Sequence, residues 1–213
     1  MNVGRRMSHP VITVQPNTPI TRVHELMAHE KIQQTPVVKN GKLVGIVSEK
    51  DILKAYPSPV TSLSVWEITS LLGKVTVKDI MVTKVLTVLE ETPIEDAARM
   101  MVDNEVSSLP VMRCAELVGI ITKSDLFSVM FEMLGARKSG VRLTVSLPNQ
   151  PGQLAKLTQA IYEKGGSILA LSTFEGDSSA SGMIAFKVEG ISQAEMKKLV
   201  TPLVLELVDI CTD

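Results

Sequence analysis

The sequence predicts a mixed α/β chain of the α+β kind, in which two β-α-β-β-α repeats pack as a pair and a βαββαβ domain follows them. Three observations predict this fold. Residues 7–53 align without a gap with residues 81–127, with 15 identities in 47 positions, and similarity over a whole unit indicates a duplicated structural unit. Each copy holds a Thr-Pro helix start and two short apolar runs. Residues 141–213 alternate strand-like and helix-like segments of their own.

Composition narrows the possible partners. The 213 residues allow one to three domains, and 45% of them are hydrophobic. A net charge of -1 and 3% aromatic residues argue against a nucleic-acid partner. The sequence has no apolar run of the roughly 18 residues that would span a membrane, and its charged start does not resemble a signal peptide. The two cysteines are far apart, so a reducing, cytoplasmic setting is expected.

Each repeat begins with a short extended piece, "VITV" or "VLTV", and continues into a helix that starts at Thr-Pro. Thr18 and Thr92 are predicted N-caps with proline at the first helical position, and Glu95 is expected to complete a capping box with Thr92. The first helix should bury one face, made by Ile20, Val23 and Met27 in the first copy and by Ile94, Ala97 and Met101 in the second.

Two strands and a second helix complete each repeat. "TPVV" and "LVGIV" in the first copy, and "LPVM" and "LVGII" in the second, are apolar enough for burial on both faces. The helix then opens at "SEKD" or "TKSD". Ser48 and Thr122 are predicted caps, and Asp51 and Asp125 are expected to complete the boxes and complement the helix dipole.

The connections divide the chain. Prolines 57 and 59 end the preceding helix, and "SLSVWEITSLLG" predicts a short helix closed by Gly73. "GARKSG" reads as an interdomain linker. The predicted divisions are therefore 1–60 for repeat one, 61–134 for the connecting helix and repeat two, 135–140 for the linker and 141–213 for the last domain.

In the last domain, the pattern of residues 141–171 predicts a strand, a Pro-Gly turn, a helix, a Gly-Gly turn and a second strand. Leu154, Leu157 and Ile161 share the apolar face of that helix. "SGMIAFKVEG", "SQAEMKKLV" and "LVLELVDIC" then predict a strand, a helix and a strand, which gives βαββαβ, the ferredoxin-like order.

The motif apolar-apolar-Gly-apolar-apolar-Ser/Thr-x-x-Asp, preceded by a Pro-Val strand and present twice, resembles the tandem CBS (cystathionine β-synthase) module. The last domain resembles an ACT domain, and the order CBS–CBS–ACT is similar to the acetoin utilisation (AcuB) family. The resemblance implies a regulatory protein whose CBS pair binds an adenosine nucleotide such as AMP, ADP or ATP, with each site completed by both repeats.

Ten residues follow from this resemblance as nucleotide ligands. The first site is expected to use Ser48 and Asp51 with Met81, Leu86 and Val106, and the second to use Thr122 and Asp125 with Met7, Ile12 and Ile32. In each site the aspartate would hold the ribose, the hydroxyl a phosphate or the ribose, and the apolar residues the adenine. Simple capping and core packing are the plainer interpretations of the same residues.

Phosphates also need cations. Lys50, Lys123, Arg5 and Arg6 are near the motifs in sequence. Lys50 and Lys123 do not align with one another, so the two sites are expected to differ in their phosphate preference.

The ACT resemblance implies either amino-acid binding at the turn "NQPGQL" and at Gly165-Gly166, or dimerisation. Asn149 stands where the family commonly has an acidic residue, and its hydrogen bond to an ammonium group would lack charge assistance. Both module types resemble ones that pair, so a homodimer is expected. Met130, Phe131, Met133 and Leu134 are candidates for an exposed apolar face.

Catalysis and metal binding are not expected. In "HELMAH", His24 and His29 are five residues apart, about 140° around a helix, instead of the four that a zinc protease needs. The sequence shows no Cys–His pair, triad context or Gly-rich phosphate loop. The expected function is a non-enzymatic nucleotide sensor that acts on an unknown protein partner. The alternatives are a scaffold that binds no ligand and a sensor of the S-adenosylmethionine type.

Overall fold

The computed structural model describes residues 1–56, 72–176 and 180–212. It divides into two compact units, Met1–Leu126 and Phe127–Asp213. The helix predicted at 62–73 lies almost wholly outside the described residues. The domain limits drawn on the sequence at 60, 134 and 140 stay predictions.

The first repeat follows the predicted order. Its elements are α1 (Ile20–Glu30), β1 (Gln34–Lys39), β2 (Lys42–Ser48) and α2 (Glu49–Ala55). β1 and β2 pair as an antiparallel hairpin. Its tip, Asn40-Gly41, has positive φ at both residues, the backbone that favours Asn-Gly in a two-residue hairpin turn.

The second repeat has the same order after a short helix, α3. The elements are α3 (Val77–Ile80), β3 (Val88–Leu89), α4 (Ile94–Asp103), β4 (Ser108–Arg113), β5 (Glu116–Thr122) and α5 (Lys123–Met133). β3 lies parallel to β4, which pairs antiparallel with β5.

The segment that precedes each repeat packs into the other repeat. The N–H of Val3 donates to the carbonyl of Thr92 at 2.9 Å, and at the related position the N–H of Val77 donates to the carbonyl of Thr18 at 3.0 Å. Ser8 bridges to Ile120 in the same way that Val82 bridges to Ile46. The two repeats therefore exchange their leading segments.

The buried cores reflect this exchange. The first contains Ile20, Val23 and Met27 from α1, as predicted, together with Leu72 and Val77 from the segment ahead of repeat two. The second contains Val3 from the chain start beside Val88, Ala97, Met101, Leu109, Val111 and Ile121. Each core is thus completed by residues that lie far away along the chain.

The predicted threonine caps of α1 and α4 are wrong. The N-cap positions are Pro19 and Pro93, and neither threonine side chain caps the helix. The Thr18 hydroxyl accepts a hydrogen bond from the N–H of Gln15 at 3.2 Å, and Thr92 accepts one from Leu89 at 3.1 Å. Each hydroxyl closes the turn ahead of the helix instead, so the capping box expected from Glu95 does not form.

The second unit confirms the βαββαβ order. It contains β6 (Val141–Pro148), α6 (Gln153–Glu163), β7 (Ser167–Glu175), β8 (Ser181–Glu189), α7 (Gln193–Val200) and β9 (Glu206–Thr212). The strands form one antiparallel sheet in the order β7-β8-β6-β9. Leu157 and Ile161 of α6 are buried against it, whereas Leu154 is 36% exposed.

Across the described part of the chain, every helix falls short of the length and apolar character needed to cross a membrane.

Candidate functional site

The two Ser/Thr-x-x-Asp motifs form the predicted capping boxes. Oδ2 of Asp51 accepts hydrogen bonds from the N–H of Ser48 at 3.0 Å and from its hydroxyl at 2.5 Å, and the N–H of Asp51 returns one to the hydroxyl at 3.2 Å. Asp125 and Thr122 repeat this geometry, with the first two distances at 2.8 and 2.7 Å. The hydrogen bonds that the described residues make to either carboxylate use Oδ2.

Asp51 lines a cavity of 320 Å³ that both repeats build. Ser48 and Asp51 come from the first repeat, and Leu86 and Val106 come from the second. The structure thus brings together four of the five residues expected at the first site. The cavity offers a half-buried carboxylate and a hydroxyl on one side and branched aliphatic side chains on the other.

Met81 packs against Gly45 of β2, just ahead of the segment that carries Leu86 into the cavity. A Cβ added to Gly45 would lie 2.6 Å from Sδ of Met81 and 3.1 Å from the carbonyl oxygen of Val82. Only glycine lets the chain approach β2 this closely, and Val82 and Ile46 then exchange two backbone hydrogen bonds of 2.9 and 3.0 Å. This contact gives the glycine of "LVGI" a structural role that the sequence alone did not reveal.

Three uncharged polar residues that were not predicted from the sequence line the same cavity, namely Gln34, Ser107 and Ser108. The amide of Gln34 donates to the Ser107 hydroxyl and accepts from the Ser108 hydroxyl, which links β1 to the start of β4. Gln34 and Ser108 occupy equivalent positions of the two repeats, so this contact lies where the repeats meet. Neither residue belongs to a recognisable motif, and only the internal alignment pairs them.

Two lysines also line the cavity. Lys50 lies next to Asp51 at the start of α2, and Lys84 lies between the bridge at Val82 and Leu86. Lys50 was expected from the sequence as a candidate cation, whereas Lys84 was not.

Of the residues expected at the second site, Thr122 and Asp125 lie in the second repeat, and the other three lie in the first. Thr35 donates to the carbonyl of Ile12 at 2.7 Å, and Ile32 packs against the core of the first repeat. Met7 lies against Gly119, as Met81 lies against Gly45. It also lines a separate cavity of 570 Å³ that includes Glu90 and Arg113. A shared ligand role for these residues with Thr122 and Asp125 stays a prediction.

Glu90 and Arg113 form an ion pair at the cavity that Met7 lines. The guanidinium of Arg113 donates to both carboxylate oxygens of Glu90, at 2.5 and 2.7 Å. These bonds lower the pKa of the Glu90 carboxyl below its ordinary value and raise the pKa of Arg113. Because Glu90 leads into α4 and Arg113 ends β4, the pair ties two elements of the second repeat together.

Both histidines of "HELMAH" lie on the surface of α1, as predicted. His24 approaches Glu49 at 3.8 Å and stacks edge-on with Tyr56, and His29 contacts Glu30 at 2.8 Å. No three His, Cys, Asp or Glu side chains of the described ranges are grouped to hold a metal ion.

Residues 3–58 and 77–132 match the family model of the CBS domain, and residues 141–201 match that of the ACT domain. The two CBS matches together cover more than half of the chain. The chain belongs to the CBS-domain family. It carries a tandem CBS pair and a C-terminal ACT domain, as the sequence motifs indicated.

Solved structures of CBS pairs resemble the first part of this chain. An acetoin utilization protein (AcuB) from Vibrio cholerae aligns with a TM-score of 0.54 at 28% identity, over 65% of this chain and 96% of its own. The CBS domain pair of MJ0100, in complex with 5-methylthioadenosine and S-adenosyl-L-methionine, gives 0.52 at 28% identity over 65% and 98%. CBSX2 in complex with AMP gives 0.52 at 29% identity over 61% and 96%. CBS pairs similar to this one therefore bind adenosine compounds.

Two relatives in sequence match this chain over very different shares of their own length. The uncharacterized protein MJ1426 of Methanocaldococcus jannaschii is 34% identical over 58% of this chain and 88% of its own length. Inosine-5'-monophosphate dehydrogenase of Thermoplasma acidophilum is 29% identical over 78% of this chain, but the match covers only 31% of that enzyme.

The ACT domain has a cavity of its own, of 710 Å³, at the end of its sheet. Asn149 of the Pro-Gly turn lines it, together with Leu154 of α6 and Phe174 of β7. Gly165 of the Gly-Gly turn has a positive φ of 78°. The cavity combines a polar amide with exposed apolar side chains, which suits a small amphipathic molecule.

Proposed function

We propose that this chain is a regulatory, non-enzymatic sensor that binds an adenosine nucleotide between its two CBS repeats. The observation that carries the proposal is the cavity in which Ser48 and Asp51 of one repeat face Leu86 and Val106 of the other. The complexes of similar CBS pairs with AMP, and with 5-methylthioadenosine and S-adenosyl-L-methionine, support the same ligand class.

The arrangement suits the parts of a nucleoside. Oδ1 of Asp51 would accept hydrogen bonds from the two cis hydroxyls of the ribose, while Oδ2 stays in the capping box. These bonds are charge-assisted, so they are stronger than bonds between neutral groups. Leu86 and Val106 would contact the faces of the adenine. Because both repeats supply ligands, binding would favour one packing of the pair over another and so shift its equilibrium.

The output of such a shift would pass to a protein partner, since we propose no catalytic role for the chain. We place the protein in the cytoplasm and expect a homodimer. The candidate dimer surface is the apolar part of α5 and the residue that follows it, where Met130, Phe131, Met133 and Leu134 are all exposed. The rival function, a scaffold without a ligand, would use the same surface.

The ACT domain is proposed to dimerise or to sense an amino acid. The cavity at Asn149 favours the second role, because its amide oxygen can accept a hydrogen bond from an ammonium group.

A thermal-shift screen tests the proposal. It should include AMP, ADP, ATP, S-adenosylmethionine and the twenty amino acids. A ligand at one hundred times its dissociation constant should stabilise the protein by about 2.7 kcal/mol, which raises the melting temperature of a chain of this size by several degrees. No shift with any adenosine compound would favour the scaffold instead.

A further inference from the structure

The 74-residue offset between the repeats allows the cavity at Asp51 to be compared, residue by residue, with its counterpart at Asp125. Lys50 corresponds to Ser124, and Lys84 corresponds to Pro10. Both lysines line the first cavity. Two cations of the first position are thus replaced by uncharged residues at the second, although the aspartate is retained.

The polar wall differs as well. Ser107 and Ser108 line the first cavity, and their counterparts are the longer Gln33 and Gln34. The side-chain amide of Gln34 is hydrogen-bonded to the hydroxyls of the two serines. The second position therefore has a longer side chain at each of these two aligned places and an uncharged residue at each of the two lysine places.

The two lysines are available to a ligand. Within the described ranges, neither ammonium group forms an ion pair with a carboxylate, and both side chains are exposed at the cavity. The acidic lining residues are Asp51, which we assign to the ribose, and Glu105, which precedes Val106 on the side formed by the second repeat. Lys50 adjoins Asp51, so a cation lies at the ribose end of the cavity.

Both cations line the same cavity as Asp51, so they are candidates to contact a charged group attached to the ribose. Ammonium groups bind phosphate oxygens strongly, because the hydrogen bonds are charge-assisted. They repel a sulfonium, which carries a positive charge at the same point of the ligand, since like charges disfavour one another at short range.

We propose that the cavity at Asp51 selects adenosine compounds that carry a 5′-phosphate over those that carry a sulfonium, and that Lys50 and Lys84 are the residues that make this choice. The counterpart at Asp125 has no cation at either aligned position. The inference rests on the proposed function, because it assigns the ligand class of the same site.

Calorimetry with adenosine, AMP and S-adenosylmethionine tests the choice on wild type, Lys50→Met, Lys84→Met and the double variant. Wild type should bind AMP about tenfold more tightly than adenosine, since one bond to a charged group corresponds to roughly that factor. It should bind S-adenosylmethionine more weakly than AMP, because the sulfonium lies at the 5′ position where AMP carries its phosphate. Each single variant should lose part of the preference for AMP, and the double variant should bind AMP no more tightly than it binds adenosine.

Lys156→Met is the control. This exposed lysine lies on α6 and is not among the residues that line the cavity at Asp51, so AMP affinity should not change. Salt gives an independent readout: added salt should weaken AMP binding to wild type and leave adenosine binding nearly constant, because screening acts on the charged ligand.

Two results would overturn the inference in different ways. If adenosine binds wild type and the double variant still prefers AMP, the lysines do not select the ligand, and the proposed function stands without them. If wild type binds none of the three compounds, the proposed function fails and the inference fails with it.

Discussion

Replacing Asp51 by asparagine separates a ligand role from a capping role. The side chain keeps its size and one oxygen, which can still accept the hydrogen bond that the Ser48 N–H donates at 3.0 Å. The box should therefore survive at a cost of about 0.5 kcal/mol in the free energy of unfolding, from the weakened cap and dipole interactions.

Ligand affinity should change far more than stability. The ribose hydroxyls would lose a charged acceptor, and a hydrogen bond to a charged group contributes about 1.5–3 kcal/mol. The dissociation constant for AMP should then rise roughly ten- to a hundredfold. Removing the 2′-hydroxyl from the ligand should weaken binding to wild type but hardly affect Asp51→Asn.

Calorimetry with AMP and 2′-deoxy-AMP on wild type, Asp51→Asn and Asp125→Asn provides the measurement. Asp125 is the matched variant, because it has the same capping geometry. The reasoning would be refuted if Asp51→Asn lowered the melting temperature and left both affinities at their wild-type values, since the carboxylate would then be a cap alone.

Three further predictions concern packing, pH and assembly. Gly45→Ala should destabilise the protein by about 1–3 kcal/mol and weaken nucleotide binding, because the new Cβ displaces Met81. Gly182→Ala is the control, since an added Cβ there has nothing within 4 Å, and equal denaturation midpoints for the two variants would contradict the packing argument. Because the pKa of Glu90 is lowered, its pair with Arg113 stabilises the fold above the ordinary carboxyl pKa of 4.5, and this stability is lost as pH falls through the lowered pKa. Between pH 7 and pH 3 the urea midpoint should fall less for Glu90→Gln than for wild type, and parallel curves would rule the effect out. Light scattering at micromolar concentration should return twice the chain mass of 23.1 kDa and Phe131→Glu should halve it, whereas a monomeric wild type would count against the dimer.

The sequence predicted most of the fold because the repeated pattern is local. Ser48 and Asp51 are three residues apart, so their capping box follows from helix geometry without any knowledge of the tertiary structure. The same reasoning failed at Thr18, because a hydroxyl ahead of a helix can also close the preceding turn, and both arrangements fit one sequence.

The candidate site was only partly predictable, because its remaining residues meet through tertiary contacts. Leu86 and Val106 were named by resemblance and do line the cavity with Asp51. Lys84 and Ser108 were not named, since nothing in their neighbourhood marks them as ligands. Their position depends on the contact between repeats, which no local pattern encodes.

The exchange of leading segments has a consequence for any attempt to divide this protein. A fragment spanning residues 9–56 would lose Leu72 and Val77 from its interior, and a fragment that begins at residue 57 would lose Val3. We therefore expect neither fragment to fold stably on its own, although each contains one copy of the repeated motif. Removing the first residues of the chain should accordingly destabilise the second repeat before the first, because Val3 belongs to the core of the second repeat. The two copies should therefore unfold together.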